Sequence, residues 1–379
     1  MEKNNGIVLP DTSKLIVSSS PHLHDGSSIN KIMLMVIIAL LPSAGMGVYF
    51  FGFSALIVLL VSVFSALFFE FVFCKLMHRP NDWKDGSAII TGLLLGMLLS
   101  AGIPWWVCII GSFLAIVFGK QLFGGIGNNP FNPACMARIA LLIGFPKLMT
   151  TWVPSRFMDS TQFIFNNSIL SQERIEQIKS LPHLPFFGSV IDGVTSATPL
   201  NMVKTSRALG TATNAYMSSM SSWESIWNYF IGNVGGCIGE TSAIALIAGG
   251  IFLICMKIIR WQIPVVYIGT VAVFGLIVHV FQPSPALPGV LFQVTTGGLL
   301  IGAFFMATDM VTTPMNWKGG AIFAFGCGII TCVIRDWGGY PEGVMFAIIL
   351  MNAFTPLIDR ITAGKPFGFK AKKKLEEGI

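Results

Sequence analysis

Charge is what this chain has least of. Of its 379 residues only 11% are Asp, Glu, Lys or Arg, and 53% are hydrophobic. A water-soluble domain of this length carries charge at more than twice that density, so a soluble multidomain protein is excluded. Cysteine is also sparse in any useful arrangement. The seven cysteines (Cys74, Cys108, Cys135, Cys237, Cys255, Cys327 and Cys332) lie in or beside apolar runs, with no CxxC pair. That pattern excludes a disulfide framework and an iron–sulfur ligand set, and implies no zinc site. The five histidines show no spacing suited to haem or metal.

What is present in quantity is long apolar sequence. Runs of roughly 17 to 25 residues, long enough to cross a hydrocarbon core as helix, recur about ten times. They fall near 32–51, 53–73, 87–101, 103–119, 134–150, 224–256, 262–281, 288–308, 319–334 and 342–358. The sixth is expected to be broken or re-entrant, because "GNVGGCIGE" places several poor helix formers in its middle. The first 31 residues are polar and the first apolar run carries no cleavage pattern, so that span is expected to stay.

With the N-terminus in the cytoplasm and ten crossings, about sixteen Lys and Arg fall inside and about seven outside, satisfying the positive-inside rule. Both termini are then cytoplasmic. The net charge of +6 owes much to Lys365, Lys370, Lys372, Lys373 and Lys374 near the C-terminus. A basic tail beside a last span is a topology signal or a contact with anionic lipid in the bilayer, so no nucleic-acid partner is expected.

A faint repeat is visible. "TGLLLG" (91–96) followed by "FGGIG" (123–127) is echoed by "TGGLLIG" (296–302) followed by "WGGY" (337–340). The copies are five spans apart, and an odd number inverts orientation. The predicted fold class is therefore an all-α polytopic membrane protein with about ten transmembrane helices in two inverted five-span repeats. The expected organisation is a cytoplasmic segment 1–31, a first five-helix repeat 32–150, an outward loop 151–222, a second repeat 223–358 and a basic cytoplasmic tail 359–379.

Three stretches are candidates for chemistry. In "VIDGVTSATPL" (190–200), Thr198 followed by Pro199 reads as the N-cap and first position of a short helix. The same geometry presents a hydroxyl at the positive end of a helix dipole, where a phosphate ester is stabilised and Lys204 and Arg207 supply countercharge. In "GGIGNNPFNPA" (124–134) two Asn-Pro pairs lie three residues apart. They read either as a turn capping the fifth helix or as a half-helix mouth whose Asn129 and Asn132 amides grip a polar ring. Acids inside spans are costly. Asp309 and Glu240 are the candidates for an ion path. Glu70 reads either as a further intramembrane acid or as a partner of nearby Lys75, and Arg335 and Asp336 read as an outer-edge pair.

"NPA" at 132–134 resembles an aquaporin box, but the second half offers only "MNAFTP". A water channel is thereby excluded, whereas a channel or transporter of ammonium- or urea-channel-like architecture with no redox cofactor stays compatible.

"DGVTSAT" resembles the flavinylation motif Asp-x-x-Ser/Thr-Gly-Ala-Thr, with Ser196 in place of Gly. Together with "GKQLFGGIGNNPFNPACMARIAL", "MATDMVTTP" and "MNAFTPLIDR", it makes essentially the whole chain similar to the D subunits of Rnf complexes and the related B subunits of sodium-pumping NADH:quinone oxidoreductases. The resemblance implies a bacterial inner-membrane subunit of an ion-translocating ferredoxin:NAD oxidoreductase, acting with other Rnf subunits. It implies FMN joined by its phosphate to Thr198 by a flavin transferase, with Asp192, Thr195, Ser196 and Ala197 of the motif as accompanying cofactor-binding residues and the Asp192 carboxylate read by the transferase or holding the loop. It further implies a second, noncovalent flavin, riboflavin, near Asn129 and Asn132.

Overall fold

The computed structural model describes residues 28–78, 85–155, 198–208, 222–281 and 290–364. The described residues form mainly helices, with one isolated β-bridge. We number the α-helices in chain order. In the first half, α1 (Ile29–Phe51) and α2 (Phe53–Leu76) are full-length spans, and α3 (Ser87–Leu98) stops about halfway. Next, α4 (Trp105–Phe113) continues through a π-helical turn, Leu114–Phe118, and α5 (Pro133–Gly144) is followed by the single turn α6 (Pro146–Met149). A short helix, α7 (Pro199–Ala208), lies between the halves. The second half comprises α8 (Trp223–Ile231), α9 (Ala243–Cys255), α10 (Gln262–Phe281), α11 (Val290–Thr295) and α12 (Leu299–Ile301), the last running into a π-helical turn, Gly302–Met306. It closes with α13 (Trp317–Asp336) and α14 (Val344–Thr362).

Local chemistry sets many of these boundaries. Ser28 caps α1 by accepting from the Lys31 amide at 3.3 Å. Asn132 caps α5, with Pro133 in the first turn, and Ser242 caps α9. Among the described residues, five helices are long and apolar enough to cross a membrane, and four more are apolar but shorter. Large apolar side chains on α2, such as Phe64 and Phe68, are more than half exposed. That is costly in water and costs nothing against lipid tails or a neighbouring protein.

The structure revises several expectations. The sixth apolar run is broken as expected, with α8 and α9 separated by residues 232–242 and a 3₁₀ turn at Ile238–Glu240. The eighth run, expected to be one span, is also broken: α11 ends at Thr295 and α12 begins at Leu299. Gly297 sits there at φ +72°, a conformation that a residue with a Cβ rarely adopts. The predicted fifth span ends early, because Pro146 cannot continue α5.

The helix breaks meet one another. The Ile238 amide donates to the Leu99 carbonyl at 3.0 Å, and Ser100 bridges Cys237. A Cβ on Gly239 would lie 2.8 Å from Ile301 Cδ1, 2.8 Å from Met97 Cβ and 3.0 Å from the Met97 carbonyl. Only glycine lets the backbones of the first and second halves come this close. The main core cluster accordingly draws Leu95, Met97, Ile238, Ile301 and Ile348 from both halves. In addition α1 packs along α9.

Candidate functional site

Two polar regions lie toward opposite ends of α13, a helix of 20 residues and so about 30 Å long. The first is a cavity of about 330 Å³ whose lining reaches Asp309, Met310 and Val311, in the segment that leads into α13. Its wall is mostly apolar, including Met33 of α1, Leu94 of α3 and Phe305 of the second π turn. Its polar side chains come from both halves: Ser87, Thr91, Lys120, Asn129 and Asn132 from the first, Thr308 and Asp309 from the second. The structure thus places three sequence-derived site residues, Asn129, Asn132 and Asp309, on one cavity.

Asn132 has a capping role and a reach across the fold. Its Oδ1 accepts from the Ala134 and Cys135 amides at 3.1 and 3.2 Å, capping α5. Its Nδ2 reaches the Met306 carbonyl at 3.4 Å, where the π turn leaves the regular helical ladder. Asn129 donates to the Phe131 carbonyl at 3.2 Å. Asp309 is held loosely: its Oδ1 and Oδ2 accept from the Val311 amide and the Thr312 hydroxyl, both at 3.4 Å.

Lys120 lies in the "GKQLFGGIG" stretch but is not among the sequence-derived site candidates, and it corrects the expected partner of Glu70. Its Nζ lies 2.6 Å from Glu70 Oε1, with the two side chains 3% and 0% exposed. Lys75 follows Glu70 on α2 outside the three- or four-residue spacing that brings helical side chains together, whereas Lys120 arrives from the end of the α4 segment directly against the carboxylate. The same Nζ donates to Ser87 Oγ at 2.5 Å, and Ser87 Oγ donates to Asp85 Oδ1 at 2.5 Å.

The second region surrounds α7. Thr198 is buried, and its Oγ1 accepts from the Asn201 amide at 3.2 Å, so it caps a ten-residue helix. Asp192, Thr195, Ser196 and Ala197 lie outside the described residues. Met202 and Val203 of α7 pack with Tyr229 of α8 and Phe292 of α11. Lys204 Nζ donates to the Tyr340 carbonyl at 2.5 Å and to the Ile334 carbonyl at 3.4 Å. The helix is thereby docked over the C-terminal end of α13 and the break between α11 and α12.

Beneath α7 lies a polar cluster of which the sequence flags only Glu240. The ligating atoms of Cys237, Glu240 and Glu342 lie within 4.8 Å of one another. Glu342 accepts from the Gly298 amide, and Glu240 Oε1 is buried without a hydrogen-bond partner. Arg138 of α5 places Nη2 3.5 Å from Cys237 Sγ and its guanidinium over Trp152. Arg335 is buried and donates to the Gln293 and Thr296 carbonyls at 2.6 and 3.1 Å. Its expected place at an outer edge is therefore corrected: Arg335 points inward and closes the break that ends α11, satisfying carbonyls that a terminated helix leaves without partners. Glu240 and Asp309, expected to share an ion path, fall in different regions, Glu240 in this cluster and Asp309 on the cavity.

The model of the family described as "NQR2, RnfD, RnfE family" matches residues 16–368. The chain belongs to that family. Among curated members, it is 43% identical over 361 residues to the D subunit of the proton-translocating ferredoxin:NAD(+) oxidoreductase complex of Clostridium ljungdahlii, covering 93% of this chain and 96% of that one. It is 40% identical over 360 residues to the D subunit of the Na(+)-translocating ferredoxin:NAD(+) oxidoreductase complex of Acetobacterium woodii, covering 95% and 97%. It is 39% identical over 349 residues to the D subunit of the ion-translocating oxidoreductase complex of Stutzerimonas stutzeri, covering 92% and 94%. The family match runs through both halves of the fold, so the cavity, α7 and the cluster beneath it all belong to the shared region.

Proposed function

We propose that this chain is the D subunit of an ion-translocating ferredoxin:NAD oxidoreductase complex of the bacterial inner membrane. In this reading it relays electrons through FMN esterified to Thr198 and contributes to coupled Na⁺ or H⁺ movement. The observation that carries the proposal is the near full-length similarity to subunits so named. Other Rnf subunits are the partners, and a flavin transferase matures the chain at the "DGVTSAT" motif. Both termini face the cytoplasm in the orientation that the positive-inside rule favours.

The geometry around Thr198 suits a phosphoryl group. The hydroxyl is the cap of α7, so a phosphate on Oγ1 meets the amide end of that helix and the positive end of its dipole. Bound there, FMN supplies the electron chemistry. The chain supplies the rest: Lys204 pins α7 to the C-terminal end of α13, and Arg335 holds the adjoining break. Tethering also retains a cofactor on a face where it is not replenished from the cytoplasm.

The cavity suits the noncovalent flavin, riboflavin. Its volume falls within the range of small-molecule pockets, and its apolar wall carries a few placed polar groups. Asp309 on its rim and Glu240 in the cluster beneath α7 are the carboxylates proposed for the ion path. Asp309 on the cavity and Glu240 in the separate cluster support that role, since a path needs groups at more than one place.

Peptide mass spectrometry of the protein from a host with the flavin transferase tests the reading. The expected result is the FMN phosphoester increment on the peptide containing Thr198. An unmodified Thr198 from a competent host overturns it and leaves the hydroxyl as a helix cap in a transporter without a redox cofactor.

A further inference from the structure

Lys120 stands out among the groups that line the cavity. Among the described residues it carries the cavity's positive charge, is 3% exposed, and is fixed from behind by Glu70, which is not exposed at all. An ammonium has three N–H donors. Two are spent, on Glu70 Oε1 at 2.6 Å and Ser87 Oγ at 2.5 Å. Among the described residues no third acceptor is bonded to it, and the side chain lines the cavity. The ion pair is therefore oriented. Its negative end is closed off in protein between α2 and the α4 segment, and its positive end borders the cavity.

We propose that Lys120 is a positioning and potential-setting residue for a noncovalently bound flavin ring. Its third N–H donates to a carbonyl on the pyrimidine edge of the ring, and the oriented Lys120–Glu70 pair makes reduction of that ring easier. This rests on the reading that the cavity holds a flavin. Reduction adds negative charge to the pyrimidine edge, and in a wall with few other polar groups the nearby positive end of a fixed pair favours the reduced form. Glu70 has the opposite influence. Its Oε2 has no hydrogen-bond partner among the described residues, so its charge is balanced by Lys120 alone. The pair presents the cavity with a dipole rather than a full charge.

Opposite shifts from two substitutions follow from this arrangement, and a purely structural ion pair does not produce them. Glu70→Gln removes the lysine's direct counter-ion, leaving only the indirect contact through Ser87 to Asp85, and raises the midpoint potential of the noncovalent flavin. Glu70→Gln with Lys120→Gln removes both charges while keeping polar side chains of similar shape, and lowers it. The paired replacement guards against misfolding, since an unpaired buried carboxylate left by Lys120→Gln alone is the more disruptive change.

The experiment uses the full-length chain carrying Thr198→Ala, so that only noncovalent flavin titrates, and measures flavin released by acid and its potential by anaerobic spectroelectrochemistry. The expected result is a shift upward for Glu70→Gln and downward for the double variant. Each reflects at least a tenfold change in the preference for the reduced ring, which for a two-electron couple is about 30 mV. Absence of releasable flavin from the Thr198→Ala chain overturns the reading of the cavity as a flavin site. Bound flavin whose potential is the same in all three proteins, or moves in the same direction in both variants, overturns the role of Lys120.

Discussion

Lys120 and Glu70 are 50 residues apart in the chain and 2.6 Å apart in the fold, with neither side chain more than 3% exposed. Two charges withdrawn this far from water depend on each other. Replacing Lys120 by Met leaves a buried carboxylate unpaired and is expected to cost about 3–5 kcal/mol. The double change Glu70→Gln, Lys120→Gln is expected to cost far less. Thermal unfolding of the detergent-solubilised chain measures both, and equal losses would show that the pair is not mutually compensated.

Thr198→Ala is expected to abolish covalent flavin fluorescence on the denatured chain while membrane insertion is retained. It also removes the cap of α7, a local loss of about 1 kcal/mol. Thr198→Ser keeps a hydroxyl in the same place and should keep the cap. Fluorescence persisting in the alanine variant would place the attachment elsewhere.

Asn132→Ala removes two accepted amide hydrogen bonds at the start of α5 as well as the contact to Met306. A stability loss of about 1–2 kcal/mol and reduced noncovalent flavin are expected together. Asn132→Ser retains a capping oxygen but is too short to reach Met306, so it should recover stability without recovering flavin. Recovery of both would assign Asn132 to capping alone.

Gly239→Val tests the meeting of the helix breaks. A Cβ there is already 2.8 Å from Met97 Cβ and from Ile301 Cδ1, and the Met97 carbonyl at 3.0 Å is backbone that does not swing aside. Overpacking of this kind costs about 1–3 kcal/mol, and branching at Cβ places the change at the upper end. A melting temperature equal to that of the unmodified chain would mean the halves separate more easily than the packing implies.

Much of the plan is legible in the sequence because it depends on neighbours along the chain. The long apolar runs specify spans, the glycines of 232–239 specify a break, and Asn132-Pro133 and Thr198-Pro199 specify helix starts. Each of these signals acts within one or two turns. The second break is hidden because Thr296-Gly297-Gly298 sits inside an otherwise continuous apolar run. Its cause is partly distant, in the carbonyls taken by Arg335 and the amide taken by Glu342.

The partners of the buried charges have no local signature. Lys75 is nearer to Glu70 along the chain than Lys120, and Asp336 is adjacent to Arg335, so proximity in sequence points away from the contacts that form. Cys237, Glu240 and Glu342 come together only because the broken sixth run and the start of α14 are packed against the same core. By itself, then, the sequence determined that the chain is a helical membrane protein, where many of its helices begin, and which motifs mark its family, because hydropathy, capping and motif chemistry are local. The tertiary structure alone decided which buried charges are paired and which polar groups share a cavity, because in a low-dielectric interior those choices depend on distances between segments far apart in the chain.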